Sequence, residues 1–444
     1  MQVSVEAVQG LQRRMTVQVP SARIDGAVED KLKSLVRTVR LDGFRPGKVP
    51  LKVIQKRYGA QVRGEVLTEV LESSYAEALN EQNLRPAGAP EIEPTQMEPG
   101  KDVEYVATFE VLPDVEVKGI EDIAIERPVA EIVDEDIDSV IDNIRKQQAE
   151  YESVEREAQD GDRVRIDFKG DVNGEDFPGS EGSDVPVVIG SKQMPEEFEQ
   201  GLIGMKAGDK KDIAYTFPSS FPTKEVEGKD AVFHVEAKAV EQPRLPDVDD
   251  AFAERLGVKE GGVSALREHI RKNIERERNQ IVRRELKQQV MSGLDAANDF
   301  DLPRVLVDGE IDSLRQQAKG AESQGQEAEE KPEAPASAFE DEARRRVKLG
   351  LIINDIVRAN GIELDRDRVR QALLDMSAGY ERPQEIINYY VQNRKLMESV
   401  EVAALEDQVV DWVVERAKVS DKPTTFQELL RAAHGSAEPD AQED

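Results

Sequence analysis

The spacing of apolar residues changes along this chain of 444 residues, and that change constrains the fold more than any other feature. Near the start, Met15, Val17 and Val19 alternate with polar residues, as in a half-buried strand; after residue 20 apolar residues recur at steps of three and four, as in helices. Residues 160–240 return to short alternating runs, and helical spacing resumes beyond residue 246. We therefore predict a multidomain α+β protein of about three domains.

Residues 1–112 form the first predicted domain, of α+β type. Ser21 is placed to cap the first helix, since its side chain suits the free N–H groups there. A second helical region is predicted from residue 50 to about residue 82, with breaks near Gly59 and Gly64 because glycine weakens a helix.

Residues 113–158 are acidic and are predicted to be a linker that carries one amphipathic helix, at residues 134–151. Residues 159–245 carry short alternating runs, which predict a small β domain with one short helix. Asn173 and Gly174 predict a hairpin turn there, because both central positions of such a turn favour positive φ.

Residues 246–435 are predicted to be an elongated all-α domain with helical arms. A helix over residues 263–297 would be roughly 50 Å long at about 1.5 Å per residue. Residues 319–338 are rich in Ala, Glu, Gln and Pro and are predicted to be a low-complexity insertion, and residues 436–444 a disordered tail.

Composition excludes several classes of site. The chain contains no cysteine, which excludes disulfides, thiolate nucleophiles and Cys-ligated metals. His234, His269 and His434 lack metal-ligand spacing, so we expect no metal and no cofactor. We see neither a secretory signal nor a run of roughly 18 apolar residues, and a cytoplasmic protein is expected. The net charge of −31 restricts nucleic-acid contact to a local patch.

One such patch is visible. Residues 31–63 contain ten Lys or Arg residues and a single acid, Asp42. At their centre a Gly- and Pro-rich turn presents Phe44 between cations that suit phosphate oxygens or acidic side chains. The alternative is an ordinary turn whose Phe44 packs inward. A nucleotide-binding loop is excluded because its spacing is one residue short and Val49 replaces the Ser or Thr that would hold Mg²⁺.

Residues 43–50 closely resemble the signature loop of the bacterial trigger factor family, the ribosome-associated chaperones. The resemblance covers nearly the whole chain, since residues 162–240 resemble an FKBP-type prolyl isomerase. It implies docking on a protein at the rim of the peptide exit tunnel and on neighbouring rRNA. The docking residues it implies are Gly43, Phe44, Arg45 and Lys48.

The resemblance also implies an isomerase pocket. Prolyl isomerisation needs no nucleophile, because its barrier of about 18 to 20 kcal/mol comes from amide resonance. An apolar, water-poor pocket favours the twisted, less polar amide, so aromatic walls are expected. The alternative is that these side chains are simply core. The implied catalytic residues are Phe168, Phe177, Val185, Met194, Phe198, Phe221 and Phe233.

Two departures from the isomerase pattern predict modest activity. Pro195 has no N–H to offer the substrate carbonyl, and Phe221 lacks the tyrosine hydroxyl of many relatives. One alternative is a non-enzymatic ribosome-docking holdase with a decayed pocket, and another is an isomerase whose helices merely deliver substrates.

The resemblance implies an ATP-independent chaperone that binds nascent and unfolded polypeptides, with a role in folding and export of new proteins. Solvated helices with intermittent apolar faces would offer adaptable surface to such clients. An ordinary helical bundle that buries those faces is the alternative. The resemblance also allows a homodimer of the free protein.

Overall fold

The computed structural model describes residues 1–444 except 40, 42, 43, 45–48, 173, 174, 176, 178, 219–225, 323–335, 378, 379, 381, 434 and 436–444. The chain forms two compact units. One comprises Met1–Arg127 and Arg284–Asp421, and the other comprises Pro128–Arg283 and Lys422–Asp444. Sheets and helices both contribute, which confirms the predicted multidomain α+β class. Among the described residues, no helix is both long and apolar enough to cross a membrane.

The first unit begins with a four-stranded antiparallel sheet in the order β1-β2-β4-β3. Its strands are β1 (Gln2–Gln9), β2 (Gln12–Val19), β3 (Glu91–Gln96) and β4 (Val103–Glu110).

The predicted alternation on β2 is confirmed. Met15, Val17 and Val19 are fully buried, because they share the face of the sheet that packs on the helices. Met15 lies opposite Ala107 of β4, and Val17 lies opposite Tyr105, which is also fully buried.

Two helices cover this face, α1 (Ser21–Thr38) and α2 (Leu51–Glu81). The predicted breaks at Gly59 and Gly64 are wrong, because α2 runs through both. Helix propensity is a weak local preference, and the buried stripe of α2 outweighs it.

The predicted cap at Ser21 is also wrong. Pro20 holds the cap position and Ser21 is the first helical residue. The Ser21 N–H donates to Oδ1 of Asp102 at 2.9 Å, so a distant carboxylate supplies the acceptor that the local sequence suggested.

The segment predicted as a linker is structured. It contains β5 (Ala124–Glu131) and α3 (Asp134–Gln147), the helix predicted there. It also contains β6 (Glu150–Val154), which pairs with the last strand of the β domain. The sheet of that domain therefore begins before residue 159.

The β domain is a five-stranded sheet with one short helix, as predicted. Its strands follow the order β6-β10-β7-β8, and β9 also pairs with β10. The remaining elements are β7 (Arg163–Asp171), β8 (Glu181–Val188), α4 (Glu196–Leu202), β9 (Lys210–Thr216) and β10 (Asp230–Arg244). The turn predicted at Asn173 and Gly174 lies outside the described residues.

The C-terminal region is mainly helical, as predicted. Its helices are α5 (Asp250–Arg255), α6 (Gly262–Ala297), α7 (Arg304–Glu322), α8 (Glu340–Asn360), α9 (Arg366–Ser377), α10 (Pro383–Gln392), α11 (Arg394–Val414) and α12 (Phe426–Ala433).

One element corrects the all-α expectation for this region. Residues Lys418–Thr425 form β11, which pairs with β5 in a two-stranded sheet. Most of the predicted insertion, residues 323–335, and the predicted tail, residues 436–444, lie outside the described part of the chain.

Candidate functional site

Four phenylalanine rings meet on one face of the β domain. The ring of Phe233 lies 5.5 Å from that of Phe198, and 6.1 Å from those of Phe168 and Phe177, between centroids. The rings of Phe168 and Phe198 are 6.3 Å apart. The pairs have steep interplanar angles, the edge-to-face geometry that aromatic quadrupoles favour.

Two glycines make room for these rings. Gly170 of β7 lies opposite Phe233 of β10, and a Cβ there would be 2.6 Å from the Phe233 ring. Gly182 of β8 lies opposite Phe168 of β7, and a Cβ there would be 2.5 Å from the Phe168 ring. Any side chain at either position would therefore displace a ring, since both distances are shorter than real Cβ contacts.

The cluster has a buried floor and a half-buried rim. Phe198, on α4, is 4% exposed and Phe233 is 9% exposed. The predicted residues that are only partly buried against this core are Phe168, Phe177, Val185 and Met194. An apolar group entering from solvent would therefore meet an aromatic floor.

Six of the seven predicted pocket residues thus belong to one hydrophobic cluster. The seventh, Phe221, lies outside the described residues. Sequence analysis did not assign Phe217 to the site, although its ring is 5.6 Å from that of Phe177 and 5.0 Å from that of Tyr215. The alternation of Tyr215 and Phe217 was the signal that could have identified them.

Sequence analysis also missed Glu199 of α4. Its side chain is buried at 3% exposure and binds the loop that carries Met194. Burial disfavours the charged form of this carboxyl, but three backbone N–H donors outweigh that effect and hold its pKa below the ordinary glutamate value.

His234 follows Phe233 on β10 and points to the opposite face of the sheet, because successive side chains alternate. Its Nδ1 lies 2.6 Å from Oδ1 of Asp212 on β9, and its Nε2 lies 3.3 Å from Oδ2 of Asp171 on β7. Asp212 is the main cause, with Asp171, of a raised pKa for the imidazole. His234 thus links three strands behind the pocket.

The second candidate site is the turn between α1 and α2. Phe44 is 42% exposed, although it lies between Leu41 and Val49, which are 8% and 2% exposed and belong to the core. The prediction that this ring points outward agrees with its position. The other predicted docking residues, Gly43, Arg45 and Lys48, lie outside the described residues.

The basic stretch around this turn separates into two groups. Away from the turn, Lys31 lies 2.6 Å from a carboxylate oxygen of Glu69, and Arg63 lies 3.3 Å from one of Asp25. Lys33 is likewise paired with Glu29.

Nearer the turn, four exposed cations form no ion pair with any described residue. They are Arg37 in the last turn of α1 and Lys52, Lys56 and Arg57 in the first turns of α2. Of the cations of this stretch that the structure describes, this second group is the one available to an external partner without breaking an internal pair.

Comparisons with known proteins cover nearly the whole chain. Residues 1–144 match the family described as bacterial trigger factor protein, and residues 262–415 match its C-terminal family. Residues 154–238 match the FKBP-type peptidyl-prolyl cis-trans isomerase family.

Individual relatives agree. A trigger factor of Alkalilimnicola ehrlichii is 59% identical, over 99% of this chain and 97% of that protein. One of Halorhodospira halophila is 51% identical, over 98% of this chain and 99% of that protein. A solved structure described as "Promiscuous Substrate Recognition in Folding and Assembly Activities of the Trigger Factor Chaperone" aligns with 94% of this chain and 99% of that chain, at a TM-score of 0.49 and 18% identity.

Gly182→Ala should reduce prolyl isomerase activity. The added methyl group must displace the Phe168 ring, and a misplacement of about 1 Å can cost on the order of a hundredfold in rate. We expect kcat/KM for an X-Pro peptide to fall about tenfold or more. Glu181→Ala, at the exposed neighbouring position, is the control and should keep the parent rate. Full activity of Gly182→Ala would contradict the proposed position of the ring at the site.

His234 should make the stability of the β domain depend on pH. Its folded-state pKa is raised above its unfolded value of about 6.5, so the stabilisation is fully present below that pH and is lost as pH rises through the folded pKa. The melting temperature of the parent chain should therefore fall more between pH 5.5 and 8.5 than that of His234→Gln. Parallel pH profiles of the two chains would refute this role.

Proposed function

The chain belongs to the bacterial trigger factor family, and from that membership we propose that it docks on the ribosome through Phe44 and its flanking cations, and isomerises X-Pro bonds of its clients at the Phe233 cluster. It is a chaperone that contains an FKBP-type peptidyl-prolyl cis-trans isomerase domain. Family membership implies ribosome binding and binding of nascent polypeptides.

The isomerase mechanism follows from the pocket. In this proposal the proline ring of a client packs against Phe198 and Phe233, where apolar side chains would replace water around the amide. Amide resonance, which holds the bond planar, is also what makes the amide polar. An apolar environment therefore destabilises the planar amide more than the twisted one, and the barrier to rotation falls. The rings of Phe168 and Phe177 orient the proline, and no group of the chain forms a covalent bond with it.

Pro195 sets the efficiency of this site. Pro195 directly follows Met194, is the N-cap residue of α4, and provides no N–H for the substrate carbonyl. The match of residues 154–238 to the isomerase family supports an enzyme over a holdase with a decayed pocket. The pocket therefore works with less help from hydrogen bonding, and modest turnover is expected.

The docking proposal rests on one observation: an exposed Phe44 in a turn whose flanking cations have no acidic partner among the described residues. An exposed aromatic side chain fits an apolar recess on a protein, whereas Lys52, Lys56 and Arg57 fit the phosphates of RNA. The partners are accordingly an exit-tunnel protein for the ring and neighbouring rRNA for the cations. Gly43, Arg45 and Lys48 belong to the same proposed surface.

Clients bind to apolar residues of the C-terminal helices. Helices α9, α10 and α11 bury a small core of Val369, Leu373, Val400 and Ala404. They nevertheless leave several large apolar side chains more than 45% exposed. On the helices these are Leu374, Met376, Tyr389, Val391 and Val402, and Tyr380 lies between α9 and α10. Intermittent apolar side chains on charged helices suit unfolded segments of varied sequence.

The remaining expectations stay predictions. They are the domain boundaries at residues 112, 158, 245 and 435, the location in the cytoplasm, and a homodimer of the free protein.

Neutralising two cations near the turn should weaken ribosome binding. For Lys52→Gln combined with Lys56→Gln, we expect the slope of log K against log salt concentration to fall by roughly one to two, because each phosphate contact contributes about 0.7 to 0.9. Co-sedimentation of the full chain with ribosomes across a salt series measures this slope.

A matched control uses two lysines of α1, the helix that packs against α2. Lys31→Gln with Lys33→Gln removes the same charge from groups that already have acidic partners, so the slope should change little. Phe44→Ala should weaken binding at every salt concentration without changing the slope. Equal slopes for the two lysine pairs would contradict the RNA contact.

Removing exposed apolar side chains from α10 and α11 should weaken client binding. For Val391→Ser with Val402→Ser, we expect the chain to suppress aggregation of an unfolded client several-fold less well, since buried apolar area contributes about 25 cal/mol per Å². Val8→Ser with Val248→Ser changes two exposed valines elsewhere and is the control. Light scattering of a diluted denatured client gives the measurement, and equal suppression by both pairs would contradict the assignment.

A further inference from the structure

The loop between β8 and α4 forms one border of the pocket. It comprises residues 189–195 and carries Met194, which packs against the hydrophobic cluster, and it ends at Pro195. The loop contains one unfavourable backbone conformation. Lys192 has a φ of +59°, which is unfavourable for a residue with a side chain. Interactions with the rest of the domain must therefore stabilise this conformation of the loop.

Hydrogen bonds to the side chain of Glu199 stabilise the loop. Its Oε2 accepts from the N–H of Gly190 at 2.8 Å and from that of Lys192 at 3.3 Å. Its Oε1 accepts from the N–H of Met194 at 3.1 Å and from the hydroxyl of Ser191 at 3.2 Å. One buried carboxylate therefore binds four donors within five consecutive residues of the loop.

The other N–H groups of the loop also have partners inside the domain. The Ile189 N–H donates to the Asp162 carbonyl at 2.9 Å and the Ser191 N–H to the Val188 carbonyl at 3.2 Å. The Gln193 N–H donates to Oγ of Ser191 at 3.4 Å. Because Pro195 has no N–H, the loop has no free backbone donor to offer a client.

Glu199 is also next to the pocket along α4. It directly follows Phe198, the aromatic floor, and the N–H groups of both residues donate to the Pro195 carbonyl at 2.9 and 3.0 Å. A movement of the Glu199 carboxylate would therefore be transmitted to the wall at Met194, beside this floor. A buried charge that binds several N–H groups is a rigid anchor, since moving it would leave both the charge and its donors without partners.

We propose that Glu199 is a positioning residue of the isomerase site, which fixes the 189–195 loop so that Met194 closes the apolar wall beside Phe198. The proposal rests on the assignment of the pocket made above. Glu199 does not touch the client. It acts by keeping Met194 in place and by binding the N–H groups that would otherwise need water at the border of the pocket.

The test compares Glu199→Gln with Glu197→Gln in the full chain. Both substitutions remove one negative charge from α4, but the side chain of Glu197 is exposed and forms no hydrogen bond with a described residue. The amide of Glu199→Gln directs an NH₂ group at backbone donors in place of one oxygen. We expect kcat for an X-Pro peptide, measured by NMR exchange, to fall about tenfold while KM changes less than about threefold, because the aromatic floor that binds proline remains.

Hydrogen exchange measured by mass spectrometry provides the second readout. Residues 189–195 should exchange faster in Glu199→Gln than in the parent, and at the parent rate in Glu197→Gln. A kcat equal to the parent value in Glu199→Gln overturns the proposal, and so does a loss of kcat without faster exchange in this loop. If the parent chain itself does not isomerise the peptide, the pocket assignment fails instead, which separates the two claims.

Ser191→Ala covers the case in which Glu199→Gln does not fold. It removes one of the four donors and also the acceptor of the Gln193 N–H, but leaves the carboxylate in place. We expect kcat to fall about threefold with an unchanged melting temperature and faster exchange in the loop. An unchanged kcat together with faster exchange would show that the order of the loop does not matter to the reaction, and would overturn the proposal.

Discussion

The contact of the Phe233 ring with three other phenylalanine rings is the interaction on which the proposed isomerase site depends. Four large side chains meet on one face of a sheet only because Gly170 and Gly182 leave space on the neighbouring strands. A reaction whose barrier is amide resonance requires a shaped apolar space and no reactive group. The pocket is therefore specified as much by these two glycines as by the aromatic residues.

Charge pairing decides which part of this anionic chain can meet a polyanion. Along α1 and α2 the cations far from the turn, such as Lys31 and Arg63, are neutralised by facing carboxylates and link the two helices. The cations beside the turn lack such partners among the described residues, so along these two helices the unpaired positive charge lies near the end that carries Phe44. With a net charge of −31 for the whole chain, this end is the part of the helix pair that suits the proposed contact with RNA.

Features governed by local spacing were predictable from the sequence, and features governed by distant contacts were not. The period of two predicted the burial of Met15, and helical spacing predicted α6 to within one residue at its start. Asp102, which binds the start of α1, is 81 residues from Ser21, and no local pattern identifies it. Resemblance to a family supplied the rings of the pocket. It did not supply Glu199, because the function of that carboxylate appears only when the loop has folded around it.

The absence of a free backbone donor in the 189–195 loop suits a client range that cannot be defined in advance. A hydrogen bond to a client carbonyl would accelerate every X-Pro bond similarly, since each peptide carries that carbonyl, and so the lack of an N–H at Pro195 would lower the rate without narrowing the choice of client. In the proposed site, apolar contact with Phe198 and Phe233 would likewise recognise the proline ring and little else.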